Sequence, residues 1–148
     1  MMSDSQSIRA VIFDLDGVIV STDELHFRAW KRLADAEGIP FSRRDNERLR
    51  GVSRMESLEI LLENAGREYS AGEKGELAGR KNALYRESLS SLAADDILPG
   101  VADVLDELRR RQVLVAIGSS SRNAQAILEA IGLAGAFDAV VDGTHIER

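Results

Sequence analysis

The sequence predicts an α/β protein in which a block of helices interrupts a parallel sheet. Three apolar runs are typical of buried strands, and they cover about residues 8–13, 113–117 and 139–141. Helical patterns lie between the second and third runs, at about residues 124–131, and before the second run, from Val101. Strands that alternate with helices in this way favour a parallel, Rossmann-type sheet.

The segment between the first and second strands has helical signals of its own. One helix should end near Gly38, and a short polar helix should cover residues 43–49. Ser53 and Ser70 are each followed three residues later by Glu, which is the pattern of a capping box. The helix after Ser53 should end near Gly66. We therefore expect residues 1–22 and 93–148 to form an α/β core and residues 23–92 to form a helical cap inserted into it.

Composition limits the classes of function. The 148 residues are 44% apolar and 30% charged, as in a globular protein, and the formal net charge of −6 gives no reason to expect nucleic acid or an anionic membrane as a partner. Cysteine is absent, which excludes disulfides and thiolate metal sites. The N-terminus has no signal-peptide pattern and no apolar run is long enough to span a bilayer, so we expect a cytoplasmic protein.

Two carboxylates end the first strand. Asp14 and Asp16 lie two residues apart, so they begin on the same side of the chain, and Gly17 follows them. Carboxylates this close repel each other unless a cation or a function compensates. A carboxylate at the end of such a strand can attack phosphorus, and Mg²⁺ would take oxygen ligands from both residues. The alternative is a turn at Asp16-Gly17 with Asp14 as an ordinary loop acid.

A polar loop follows the second strand. It contains Ser119, Ser121, Arg122 and Asn123 just before a helix. Hydroxyl groups, backbone N–H groups and a guanidinium at a helix N-terminus suit an anion, above all phosphate. The alternative is a polar loop in which one side chain caps the helix. The position at the end of a neighbouring parallel strand favours phosphate binding.

Three features of the helical block are ambiguous when taken alone. The segment Arg50–Arg54 could pair with phosphate or could be a solvated turn between helices. Arg80, Lys81 and Asn82 would ordinarily lie on a solvated helix face. His26 could be a surface histidine, and we expect Trp30 to lie in the core or at the boundary between cap and core.

The motifs together resemble the haloacid dehalogenase superfamily and, within it, the β-phosphoglucomutase family. The first strand with Asp14-Leu15-Asp16-Gly17 resembles the superfamily's first motif, and Ser119 resembles its second. The segments Thr22–Trp30, Gly51–Arg54 and Arg80–Asn82 are similar to the more specific family patterns. This resemblance covers about residues 9–143. It implies interconversion of β-glucose 1-phosphate and glucose 6-phosphate through β-glucose 1,6-bisphosphate.

The resemblance also implies roles for individual residues. Asp14 would be the nucleophile that becomes phosphorylated, and Asp16 the general acid and base. The Asp14 side chain and the Asp16 carbonyl would ligate Mg²⁺, and Ser119 would bind the transferring phosphoryl group. Thr22 would lie in the hinge, and His26 and Lys81 would help place Asp16 when the cap closes. The remaining residues would bind the phosphorylated hexose: Arg50, Gly51, Val52, Ser53, Arg54, Asn82, Ser121, Arg122 and Asn123.

The sequence departs from the family pattern in two ways. Arg50 and Arg122 replace lysines, which keeps the charge and changes the hydrogen-bond geometry. The family continues to a phosphate-binding lysine and a Glu-Asp pair at the metal, and the sequence ends at Arg148 before both. We therefore expect an incomplete core, weak or absent activity, and self-association through an open sheet edge. The alternatives are a sugar-phosphate phosphatase on the same scaffold and a non-catalytic binding fragment.

Overall fold

The structure is a computed structural model that describes residues 7–145. Its α-helices and strands follow one another in this order: β1 (Ala10–Phe13), α1 (Asp23–Glu37), α2 (Arg43–Glu47), α3 (Arg54–Leu62), α4 (Ala71–Ser88), α5 (Val101–Arg110), β2 (Leu114–Gly118), α6 (Ala124–Ala130) and β3 (Ala139–Val141). Short 3₁₀ helices cover Leu89–Ser91, Ala94–Asp96 and Gly143–His145. No helix in the described part of the chain is long and apolar enough to cross a bilayer.

Contacts divide the chain into two compact units. Asp23–Leu89 forms one of them, which we call the helical unit, and it holds α1 to α4. The chain before and after this segment forms the other, which we call the sheet unit. These boundaries lie close to those expected from the sequence, and the interpretation of the helical unit as a functional cap stays a prediction.

The sheet unit contains the predicted parallel sheet. Its strands lie in the order β1-β2-β3, and both neighbouring pairs are parallel. Phe13 pairs with Ile117, and Gly118 pairs with Val141, so the carboxyl ends of the three strands lie at the same end of the sheet. Because each strand is joined to the next through helices, the crossovers keep the strands parallel. The prediction of a parallel α/β core is confirmed.

The burial of the strands differs from the prediction. Val115 and Ile117 on β2 are buried, but Leu114 on the same strand is 58% exposed and Ile12 on β1 is 74% exposed. Successive side chains alternate between the two faces of a sheet, and nothing within residues 7–145 covers the face that carries Ile12 and Leu114. The expectation that β1 is buried was wrong, because an apolar run predicts a strand without showing how many of its faces are covered.

The helical unit packs around a contiguous apolar core. Helix α4 lies against both α1 and α3, and Trp30 is buried there, as expected. The core cluster comprises Trp30, Leu33, Ala34, Ile39, Phe41, Leu49, Leu58, Leu61, Leu77 and Ala78. Capping boxes begin α3 at Ser53 and α4 at Ser70, as predicted, and a third begins α2 at Ser42. Helix α3 ends at Leu62, earlier than the expected end near Gly66.

Candidate active site

Asp14 and Asp16 lie directly after β1, on either side of a buried residue. Asp14 is exposed, Leu15 is completely buried, and Asp16 is half-buried. This alternation turns both carboxylates away from the apolar interior that Leu15 enters. The Leu15 amide donates to Asp14 Oδ1 over 2.7 Å, and the Thr22 hydroxyl donates to Asp16 Oδ1. The two acids therefore have different environments, and Asp14 is the more accessible to a ligand.

A tight turn holds the two acids in place. The Gly17 amide donates to the Val20 carbonyl over 2.8 Å, and the Ile19 amide donates to the Leu15 carbonyl over 2.9 Å. Gly17 has a φ of +78°, a left-handed conformation that glycine adopts without steric cost. Ile19 and Val20 are fully buried, which fixes the turn to the interior of the sheet unit. Glycine is therefore favoured at position 17 because the turn requires a left-handed backbone there.

The loop after β2 lies beside Asp14. Because Phe13 pairs with Ile117, Asp14 and Gly118 follow at adjacent positions on neighbouring strands. Ser119 is buried, and its Oγ accepts a hydrogen bond of 3.1 Å from the Ser121 amide. The Ser121 Oγ accepts from the Asn123 amide, also over 3.1 Å. These bonds organise the loop from within, and Arg122 lies exposed on it.

The segment after β3 lies at the same carboxyl end of the sheet, and the sequence analysis assigned it no role. Asp142 is buried, and hydrogen bonds from Thr144 lower the pKa of its carboxyl group. The Gly143 amide donates to the Ser121 carbonyl over 3.0 Å. A Cβ at Gly143 would lie 2.3 Å from the Ser120 carbonyl oxygen. Gly143 therefore allows this segment to approach the loop after β2, a contact that only the register of β2 and β3 could have indicated.

The chemistry of this edge suits a hard cation. Mg²⁺ takes oxygen ligands and often retains several waters, so one or two protein ligands are sufficient for binding. The exposed Asp14 carboxylate and the neighbouring Asp16 carbonyl are donors of that kind. Among the residues that the structure describes, no group of three or more histidine, cysteine, aspartate or glutamate side chains could hold a metal. The available donors fit a Mg²⁺ ion that takes few protein ligands and keeps several waters.

The helical unit brings together its own set of candidate residues near the start of α3. Arg50 forms a two-point ion pair with Asp23, with Nη2–Oδ2 and Nε–Oδ1 distances of 2.9 and 3.3 Å. Arg54 Nη2 donates to Asn82 Oδ1 over 3.0 Å. Ser53 is committed to the capping box, in which its Oγ accepts from the Glu56 amide. Because its hydroxyl caps the helix, we expect Ser53 to act through its position in the turn.

The remainder of this segment is open to solvent. Gly51 has a φ of +73°, which favours glycine, and nothing lies within 4 Å of the position a Cβ would take there. Val52 is 40% exposed. The turn between α2 and α3 thus offers backbone and apolar surface between two arginines that are already held by protein partners.

A close pair of basic side chains lies in the helical unit, with Lys81 buried and His26 half-buried. Lys81 is only 4% exposed, so the expectation that it lies on a solvated helix face was wrong. Its Nζ lies 2.8 Å from Nδ1 of His26. Burial, with smaller contributions from the charges of Lys81 and Arg54, lowers the pKa of His26 to about 3. His26 is therefore neutral at physiological pH and accepts a hydrogen bond from the lysine.

The predicted site residues thus form two groups, one in each unit. The sheet unit holds Asp14, Asp16, Thr22, Ser119, Ser121, Arg122 and Asn123. The helical unit holds His26, Arg50, Gly51, Val52, Ser53, Arg54, Lys81 and Asn82. Hydrogen bonds join some members of each group: Thr22 to Asp16, and Ser119 to Ser121 to Asn123, in the first group, and Arg54 to Asn82, and Lys81 to His26, in the second.

Comparison with known proteins identifies relatives of the whole chain. The chain is 46% identical to β-phosphoglucomutase of Bacillus subtilis over 143 residues, which are 95% of this chain and 63% of that protein. It is 30% identical to a phosphorylated carbohydrates phosphatase of Thermotoga maritima, over 95% of this chain and 64% of the other. The crystal structure of β-phosphoglucomutase from Clostridium difficile superimposes with a TM-score of 0.86 at 37% identity, covering 96% of this chain and 65% of that one.

The match to known proteins extends over both groups of candidate residues. The chain spans just under two thirds of the length of each of the three proteins. A match to the family described as haloacid dehalogenase-like hydrolase extends over residues 8–148, and so includes β1 with its two acids and the loop after β2. The chain belongs to the haloacid dehalogenase-like hydrolase family.

Proposed function

We propose that the protein is a β-phosphoglucomutase, which interconverts β-glucose 1-phosphate and glucose 6-phosphate. The observation that carries this proposal is the 46% identity to the Bacillus subtilis β-phosphoglucomutase over 95% of the chain. The Clostridium difficile enzyme, which is also a β-phosphoglucomutase, supports it at the level of structure. The substrate under this proposal is a phosphorylated hexose, and the cytoplasmic location stays a prediction.

The reaction proceeds through a phosphorylated form of Asp14. An Asp14 oxygen forms a bond to phosphorus while the bond from phosphorus to the sugar oxygen breaks, and Asp16 supplies a proton to that oxygen. In the reverse direction Asp16 accepts the proton of a sugar hydroxyl, whose oxygen attacks phosphorus and releases Asp14. The bond from the Thr22 hydroxyl to Asp16 supports this assignment, since it fixes one carboxylate oxygen and leaves Asp14 to react.

Charge neutralisation lowers the barrier of such a transfer. Bound Mg²⁺ would reduce the repulsion between the Asp14 carboxylate and the phosphate, with the Asp14 side chain and the Asp16 carbonyl as its protein ligands. Ser119, buried beside Asp14, is proposed to donate a hydrogen bond to the transferring phosphoryl group. The exposed guanidinium of Arg122 adds positive charge at the same edge of the sheet.

The helical unit is proposed to select the substrate. Arg54 and Asn82 are joined by a hydrogen bond, so that the guanidinium is held for the phosphate that is not transferred. The turn that contains Gly51 and Val52 offers an accessible backbone to the sugar. Arg50 supplies a second guanidinium, and its ion pair with Asp23 fixes its orientation. Ser121 and Asn123 of the sheet unit are proposed to bind the sugar phosphate as well.

A phosphatase is the second candidate function, favoured by the 30% identity to the Thermotoga maritima phosphatase over 95% of the chain. The two reactions differ in whether a sugar hydroxyl or water accepts the phosphoryl group from Asp14. The test incubates the purified protein with Mg²⁺, β-glucose 1-phosphate and a trace of β-glucose 1,6-bisphosphate. Glucose 6-phosphate as the main product supports the mutase, and glucose with inorganic phosphate overturns it in favour of the phosphatase.

Self-association through the sheet is a separate proposal. Within residues 7–145, β1 pairs only with β2, and Ile8, Ile12, Leu114 and Val141 are each more than half exposed. A strand edge beside exposed apolar side chains favours pairing with another chain. We expect the 148-residue chain to elute above its monomer mass of 16.2 kDa in gel filtration. Ile12→Lys should reduce this association. A wild-type chain that is monomeric at all concentrations would contradict the proposal, and it would also remove the support for a non-catalytic fragment that binds partners through its sheet edge.

A further inference from the structure

The Lys81 side chain is buried in a setting that controls its direction. A buried ammonium group is costly unless nearby groups replace the water it has lost. Its Nζ lies 4.9 Å from the centroid of the Trp30 ring and 4.8 Å from that of Tyr85. Both distances are within the range of cation–π attraction, which is stronger in desolvated sites. The two rings therefore favour the position that the ammonium occupies.

One of these two rings, that of Tyr85, also lies against the imidazole of His26. The His26 and Tyr85 rings are stacked, with centroids 4.1 Å apart and planes 10° apart. Tyr85 is fully buried and Trp30 nearly so, which limits the freedom of both rings. Tyr85 thus fixes the plane of the His26 imidazole, and both aromatic rings fix the Lys81 ammonium that contacts it.

We propose that Trp30 and Tyr85 form an aromatic cage that positions the Lys81 ammonium. The ammonium has only hydrogens to donate, so Nδ1 of His26 must accept with its lone pair, and the ring proton must lie on Nε2. His26 is then a neutral donor with one tautomer. The cage acts through Lys81 and His26, so both aromatic residues are positioning residues.

This arrangement deepens the proposed function and rests on it, because that function places His26 and Lys81 in the site. An Nε2–H group that neither titrates nor changes tautomer can hold an oxygen acceptor in a constant geometry. Three groups that face the imidazole carry or can acquire charge: Lys81 and Tyr85 from α4, and Arg54 from α3. The two cations oppose protonation of His26, in agreement with its lowered pKa.

Long-range ¹H–¹⁵N correlation spectra of the labelled 148-residue chain test the proposal without any activity. The sequence has two histidines, so in a His145→Gln variant all remaining imidazole signals belong to His26. We expect one protonated nitrogen, Nε2, and no change between pH 8 and pH 5. A proton on Nδ1, or an imidazolium at pH 5, would overturn the proposal from the wild-type spectrum alone.

Variants of the cage identify its contribution. Tyr85→Phe retains the ring and should leave the spectrum unchanged, whereas Tyr85→Leu should give mixed tautomers and raise the pKa of His26 by about one unit. Trp30→Phe should change it in the same direction by less. The matched control is Tyr69→Leu, which removes the ring 3.7 Å from the Arg67 guanidinium, a cation–π pair elsewhere in the helical unit.

The outcomes separate this proposal from the proposed function. If Tyr85→Leu is unfolded by circular dichroism, Trp30→Phe decides the matter, and a wild-type spectrum in a folded Trp30→Phe overturns the cage. If the spectra are as expected but the product analysis gives glucose and inorganic phosphate instead of glucose 6-phosphate, the cage stands and the proposed function fails. If glucose 6-phosphate is formed but the proton of His26 lies on Nδ1, the proposed function stands and the cage fails.

Discussion

The helical unit and the sheet unit hold their candidate functional residues in different ways. In the helical unit the basic side chains are bound to protein partners, as Arg50 is to Asp23 and Arg54 to Asn82. In the sheet unit Asp14 is exposed, and backbone turns position the acids and the serine loop. The difference indicates that the groups proposed for recognition are oriented in advance, while the group proposed to react is left accessible.

The packing of the two units also differs. The helical unit encloses a contiguous apolar core, and capping boxes begin three of its helices. The sheet unit leaves large apolar side chains such as Ile12 in contact with solvent. Substitutions should therefore have large effects on chemistry in the sheet unit and large effects on stability in the helical unit.

The largest effect should come from the exposed acid of the sheet unit. Asp14→Asn removes the proposed nucleophile, and labelling by β-glucose 1,6-bisphosphate should fall by about a thousandfold or more. Since Asp14 is exposed, the thermal unfolding midpoint should change little. Asp95→Asn, at another exposed acid of the same unit, is the control. Labelling of the Asp14 variant at the wild-type level would exclude this residue as nucleophile.

Arg54→Ala should have the next largest effect. Truncation of one member of a desolvated charge pair costs about 2–5 kcal/mol, and binding of β-glucose 1,6-bisphosphate should weaken accordingly. Acetyl phosphate has no second phosphate, so its reaction should be nearly unchanged. Arg32→Ala, which removes an exposed arginine paired with Glu87, is the control for lost surface charge. Equal losses with both phosphate donors would show that Arg54 does not bind the distal phosphate.

Substitution of one buried and one exposed apolar side chain compares the two units directly. Leu58 is completely buried in the helical unit, and Leu58→Ala should lower the free energy of unfolding by about 2–5 kcal/mol. Ile12 is 74% exposed in the sheet unit, and Ile12→Ala should change it by less than about 0.5 kcal/mol. Urea denaturation of both variants measures these values. Similar losses would show that the face of β1 is covered in solution.

Gly143→Ala probes the contact between two loops of the sheet unit. Its Cβ would lie 2.3 Å from the Ser120 carbonyl oxygen, and relief of that overlap should cost about 1–3 kcal/mol of stability. Gly135→Ala is the matched control, since no atom lies within 4 Å of its added Cβ. The two variants should differ in urea midpoint, and a tolerated Gly143→Ala would show that the loops can separate without cost.

The last comparison concerns pH. The pKa of His26 is about 3 in the folded protein and near 6.5 in an unfolded chain, so the unfolded state binds the proton first as pH falls. The stability is fully present above pH 6.5 and is lost progressively toward pH 3, by about 2 kcal/mol at pH 5. His26→Gln should show a loss smaller by that amount between pH 7 and pH 5. Equal losses in the two proteins would show that His26 titrates normally.

Local signals in the sequence predicted much of this fold. The capping boxes at Ser53 and Ser70 involve residues three positions apart, so the sequence alone displays them. The box at Ser42 escaped notice because Asp45, and not Glu, closes it. The three strands also followed from short apolar runs, and their parallel direction from the helices between them. What could be predicted was determined by short-range chemistry.

The remainder depended on contacts between distant residues. Burial of Lys81 requires Trp30 on another helix, and the sequence near Lys81 contains no sign of it. The proximity of Gly143 to Ser120 depends on how β3 lies beside β2. Roles of individual residues in Mg²⁺ and substrate binding came from family resemblance, and they stay predictions until the substitutions above are measured.

The pairing of β1 with β2 has a consequence for synthesis of the protein. Ala10 lies opposite Leu114, so β1 leaves the ribosome roughly a hundred residues before its partner; at about 5–20 residues per second it remains unpaired for on the order of ten seconds. The helical unit lies entirely between the two strands and can fold during that interval. We expect the nascent chain to carry a folded helical segment beside an exposed apolar strand, the kind of surface that chaperones bind.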